Sequence, residues 1–99
     1  MSIKIFVKLP VRDLNKSMAF FRALGWDFNK QFTDDTAASL VISEHIYAML
    51  LTHKKYAEFT NRQIADTSKT SQVMIALSVD GKEEVNRIAD AAMKAGASR

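Results

Sequence analysis

Two histidines, no cysteine and eleven carboxylates are the raw material for chemistry in this sequence, and their spacing assembles little. His45 lies in the polar turn Ser43-Glu44-His45 and reads as a solvated turn residue. His53 leads the basic cluster His53-Lys54-Lys55 at the end of an apolar run, where it could bind an anionic group or act as a base near neutral pH. Two imidazoles in separate segments are too few for a metal site needing three or four protein ligands. Glu44, Glu58 and Asp66 fall in turns or linker without a partner, and Glu83 and Glu84 belong to a helix start, so no acid–base pair can be built. The absence of cysteine excludes disulfides, thiolate metal sites and a cysteine nucleophile. There is no glycine-rich phosphate loop and no serine elbow. Tyr47 and Tyr56 could hydrogen-bond a ligand or pack with their hydroxyls at the surface.

The elements that must position these residues follow from periodicity. Ile3, Ile5, Val7 and Leu9 alternate with Lys4, Phe6 and Lys8, the period of two of a half-buried strand. Pro10 closes it. Asp13 is placed to cap a helix carrying Leu14, Met18, Phe21 and Leu24 at helical spacing, and Gly25 supplies a left-handed stop. Trp26, Phe28 and Phe32 predict a second strand, Asp34-Asp35 a turn, and Ala38–Ile42 with Tyr47–Thr52 a hairpin through Ser43-Glu44-His45. From His53 to Ser71 the chain is polar and reads as a linker with one or two short helical turns. Val73, Ile75, Leu77 and Val79 then repeat the alternation of the first strand; Asp80 with Glu83 makes a capping pair; Val85, Ile88, Ala89 and Ala92 form a helical stripe closed by Gly96.

Ninety-nine residues suit one core, and a formal charge of +3 raises the question of nucleic acid. The cations are scattered among acidic neighbours, which reads as a solvated surface rather than a nucleic-acid footprint. No apolar run is long enough to span a bilayer, and the N-terminus runs straight into a strand, so the expectation is a cytoplasmic protein with no membrane partner.

The stretch Leu9-Pro10-Val11-Arg12-Asp13-Leu14, with Ser17 and Phe20-Phe21-Arg22-Ala23-Leu24-Gly25-Trp26, and the later Ile75-Ala76-Leu77-Ser78-Val79-Asp80, resembles the vicinal oxygen chelate superfamily. That superfamily includes glyoxalase I, the bleomycin-resistance proteins and the extradiol dioxygenases. The nearest likeness is to small bacterial glyoxalase-like proteins described as lactoylglutathione lyases. The resemblance implies paired βαβββ modules curling around a cavity, with a divalent metal acting as a Lewis acid on a substrate offering two adjacent oxygens. Carried over to this sequence, the metal-ligand positions are Phe6, Leu50 and Met74, and a fourth would lie beyond Arg99. Phenylalanine and leucine have no donor atom, and a thioether suits copper(I) better than zinc, nickel or iron. Phe6 and Met74, equivalent under the repeat, are either the apolar floor of a cavity or ordinary core; Lys4, Lys8 and Ser78 on the same face argue for a wet or ligand-filled surface.

The sequence therefore predicts an α+β fold: a βαβββ module with linker over residues 1–71, and over 72–99 the first βα of a second module whose remaining strands are missing. The expected function is binding of a small, partly hydrophobic molecule in a cavity lined by Phe6, Lys8, Leu50, Thr52, His53, Met74 and Ala76, with no metal. The alternatives are a metal-dependent lyase or isomerase of the lactoylglutathione lyase type, and a dimerising scaffold without chemistry. The open strand edges and uncovered face predict a homodimer.

Overall fold

The first strand, β1 (Ile5–Val11), has the alternation its sequence dictates. Leu9 and Val11 pack against the hydrophobic core, while Phe6 and Lys8 point to the opposite side. The computed structural model describes residues 2–97. Pro10 is accommodated because β1 is an edge strand, where a missing N–H costs no ladder bond. Asp13 then caps helix α1 (Leu14–Ala23), its Oδ1 accepting from the Lys16 N–H at 3.1 Å. Gly25, at φ +98°, ends the helix: its N–H donates to Arg22 O and that of Trp26 to Phe21 O, the double bond of a Schellman stop.

The expected second strand is short. β2 is Asp27–Phe28, and Lys30–Phe32 is a 3₁₀ turn with Phe32 exposed. The reason is Asn29, whose side chain accepts from the Gln31 N–H at 3.0 Å while its carbonyl accepts from the Thr33 hydroxyl at 2.8 Å, curling the chain before pairing can extend. Asp34 makes the predicted turn: one carboxylate oxygen accepts from the Thr36 N–H, the Thr36 hydroxyl and the Ala37 N–H. β3 (Ala37–Val41) and β4 (Ile46–Thr52) form the expected hairpin.

These strands make one four-stranded sheet in the order β1-β4-β3-β2, with β1 parallel to β4 and the other pairs antiparallel. Helix α1 covers one face. The core between them is Leu14, Met18, Phe28, Ala38, Leu40, Ala48 and Leu50. This confirms the α+β class and the βαβββ order. Thr52 caps a single turn, α2 (His53–Tyr56), as the linker composition predicts.

Two expectations for the C-terminal part are corrected. Residues 73–79 are not a strand: the segment pairs with no edge, and residues 71–80 make no backbone hydrogen bond among the described residues. Its alternating pattern is present, but a strand exists only against a partner, and none is offered to it here. Helix α3 (Lys82–Lys94) forms as expected, but its N-cap is Gly81 at φ +85° with no side-chain cap, so Asp80 and Glu83 do not make a capping box. The stripe on α3 is only partly covered, with Val85 exposed and Ile88 and Ala92 half-buried. Gly96, at φ +109°, stops the helix as predicted.

Candidate ligand-binding face

The surface of interest is the side of the sheet turned away from α1. Along β1 it carries Phe6, Lys8 and Pro10, and by cross-strand register these lie beside Tyr47, Met49 and Leu51 of β4. Leu51 is buried there, as is Ser39 of β3, whereas Phe6 is 51% exposed. The accessible part is therefore a strip in which exposed Phe6 and Lys8 lie beside half-buried Tyr47 and Met49.

Phe6 and Tyr47 stack with centroids 4.8 Å apart and planes within 9°. The Tyr47 hydroxyl donates to the carbonyl of Glu44 at 2.9 Å, which fixes the ring. Lys4 places its ammonium 5.9 Å from the Tyr47 centroid. Lys8 reaches the other way, to 4.1 Å from the centroid of Phe59, a residue held just past α2 by its N–H bond to Tyr56 O. Phe59 is itself 55% exposed, so rings and ammonium groups interleave on open surface. Neither Lys4 nor Lys8 has an ion-pair partner among the described residues, while the nearby Glu58 is held by Lys55 at 3.3 Å.

At the far end of the strip, Pro10, Arg12, His53, Ile64 and Asp66 line a cleft of about 260 Å³. Asp66 is tied by the Ser68 hydroxyl at 2.6 Å and the Ser68 N–H at 3.0 Å. The hydroxyl bond first, then the N–H bond and the charge of Arg12, hold its carboxyl below the usual aspartate range. A larger, open cleft of about 1040 Å³ lies beside the start of α1, between the β1–α1 turn and the end of α3 at Ala95 and Gly96. Much of its wall is turn backbone and the outward side chains of Asp13, Asn15 and Lys16, and no set of donors converges into it.

The seven residues expected to line one cavity are not brought together. Phe6 and Lys8 share the strip, and His53 stands at its end. Leu50 does not belong with them: it pairs with Leu9 and is 1% exposed in the core against α1, on the opposite face of the sheet. Thr52 sits at the end of β4, where its hydroxyl accepts from the Lys55 N–H at 3.2 Å. Met74, 91% exposed, and Ala76 lie on the unpaired segment, which pairs with neither β1 nor β4. Phe6 and Met74 are thus not core. His45 is not a freely solvated turn residue either; it is half-buried, with Nδ1 enclosed and lacking a hydrogen-bond partner among the described residues.

The family-implied metal positions do not fit a metal in this arrangement. Phe6 offers no donor, Leu50 is on the other face, and Met74 is on a separate segment. No group of three His, Asp or Glu side chains converges among the described residues. The residues that sequence reasoning missed are Met49 and Phe59. Met49 lies in a run that is apolar at every position, so its face is not marked in the sequence, and Phe59 reads there only as an apolar anchor of a polar linker.

Residues 5–43 match a family model described as bleomycin resistance protein-like N-terminal. Among solved structures, the chain is similar to the hypothetical protein SA1046 from S. aureus, with 28% identity and a TM-score of 0.76 over 97% of this chain and 72% of that one. It is also similar in fold to a glyoxalase/bleomycin resistance protein/dioxygenase family enzyme from Burkholderia phytofirmans PsJN, with 23% identity and a TM-score of 0.70 over 96% and 74% of the two chains. No curated protein matches.

Proposed function

We propose that this chain, whose residues 5–43 match a bleomycin resistance protein-like N-terminal model and whose fold is similar to that of a glyoxalase/bleomycin resistance protein/dioxygenase family enzyme, is a vicinal oxygen chelate-type protein that binds a small, partly hydrophobic molecule on the sheet face opposite α1, without a metal. The observation that carries this reading is the exposed Phe6 ring, stacked on a Tyr47 that is itself anchored to Glu44. A single exposed phenylalanine is ordinary, but Phe6 is continuous with Tyr47 and lies along the same strip as the exposed Phe59, and a contiguous apolar patch marks a binding surface. A pre-oriented aromatic pair offers a flat apolar platform, and one further ring stacked on it is worth about 0.5–1.5 kcal/mol beyond burial. The superfamily's Lewis-acid chemistry is not used: the positions that would hold the ion carry Phe6, Leu50 and Met74, a degenerate ligand set. Metal analysis of the purified protein tests this; stoichiometric, tightly bound zinc, nickel or iron would overturn the metal-free reading.

A specific feature favours self-association as a second property. Val73, Ile75, Leu77 and Val79 alternate on a segment that makes no backbone hydrogen bond among the described residues, and β1 presents an open edge. Unpaired apolar segments and open edges are templates for pairing with another chain. Sedimentation across a concentration series distinguishes a dimer from a strict monomer.

A further inference from the structure

We infer that the molecule bound on this face is a planar aromatic anion, such as an aromatic carboxylate; the inference rests on the reading of the face as a small-molecule site and specifies its chemistry. Strand geometry sets the layout. Lys4 and Lys8 lie four residues apart on the same side of the chain as Phe6, about 13 Å from one another along the strand direction, with the Phe6–Tyr47 pair between them. A flat ring system lying on Phe6 therefore has an ammonium group within reach at either end, and a single acidic substituent is met whichever way the ring lies.

The charges around the platform favour an anion. The ammonium of Lys4 approaches the Tyr47 ring and that of Lys8 the Phe59 ring. Neither is in an ion pair among the described residues. The closest carboxylate on the α2 side, Glu58, is occupied by Lys55, and Glu44 meets Tyr47 through its carbonyl rather than its carboxylate. At the far end the Arg12 charge faces the ionised carboxylate of Asp66, so that cleft adds little net charge to the platform. A lysine parked over an aromatic ring keeps its charge and most of its hydration, so it can turn to a carboxylate at little cost. Among the described residues, a cationic ligand would meet two unpaired ammonium groups against a single unpaired carboxylate at the Tyr47 end, that of Glu44, so the balance of charge favours an anion.

The test uses three probes of one shape: 2-naphthoate, 2-naphthalenemethanol and 2-naphthylmethylammonium. Each is titrated into the full chain while the backbone amide shifts of β1 and β4 are followed by NMR. The expected result is binding of naphthoate at Phe6, Lys8 and Tyr47 up to about fivefold tighter than the alcohol, since one exposed charge pair is worth up to ~1 kcal/mol. The ammonium compound should bind weakest, Lys8→Gln should reduce the margin for naphthoate, and added salt should do the same. If the alcohol or the ammonium compound binds this face as tightly as naphthoate, the anion preference is wrong while the binding face stands. If none of the three perturbs β1 and β4, both readings fall.

Discussion

Arg87 of α3 donates from Nη1 to the main-chain carbonyl of Leu24, 3.1 Å away at the C-terminus of α1. The carbonyl is one of those a helix end leaves without an internal partner, and a guanidinium there also meets the negative end of the helix dipole. Glu84, one turn earlier on α3, binds the same guanidinium through Nε at 2.7 Å; this bond raises the Arg87 pKa and aims the group. Arg87→Ala should therefore loosen α3 from α1 while leaving the sheet intact. Hydrogen exchange in α3 should accelerate while that in β3 and β4 stays slow.

The burial contrast between Leu50 and Phe6 gives a sharper test of which sheet face is which. Leu50→Ala removes a fully enclosed side chain and should cost about 2–5 kcal/mol in urea unfolding. Phe6→Ala removes a side chain already half in water and should cost much less, while abolishing binding of aromatic probes. Comparable stability losses from the two substitutions would contradict the assignment of Phe6 to the open face.

Acid should unfold the protein partly through its turns. Asp34 accepts three hydrogen bonds, and the Thr36 N–H first, then the Thr36 hydroxyl and the Ala37 N–H, lower its pKa. A carboxyl depressed in the folded state stabilises the fold fully above its unfolded pKa. That contribution is lost as pH falls below the ordinary aspartate value toward the depressed one. Asp34→Ala should thus lower stability at neutral pH and leave a flatter decline with acid. Thermal unfolding of both proteins between neutral pH and about pH 3 reads the difference directly.

The parts of the fold set by local chemistry could be read in advance. Asp13 and Gly25 bracket α1, Asp34 makes its turn, and the alternation of β1 puts Lys8 with Phe6. The phase of β4 could not be read in the same way, because Tyr47-Ala48-Met49-Leu50-Leu51 is apolar at every position and period two has nothing to grip. A shift of one residue exchanges the two faces, so nothing local corrects the position carried over from the family resemblance, which falls on Leu50 in the core while Tyr47 stands beside Phe6 and Met49 beside Lys8. The contact of Lys8 with Phe59 depends on how the chain returns after α2, and neither residue's neighbours encode it. Residues 73–79 fail differently: their pattern is that of a strand, but pairing is a property of the partner, and none is in place.

That unpaired segment yields the last prediction. Ile75 and Leu77 are exposed, and the segment forms no backbone bonds within the chain among the described residues, so Ile75→Lys should leave unfolding stability within about 0.5 kcal/mol of the parent. If the segment pairs with a second copy, the same substitution places a charge in an apolar strand interface and should shift sedimentation from dimer to monomer. A loss of stability approaching that of Leu50→Ala, with sedimentation unchanged, would mean instead that the segment packs on its own chain.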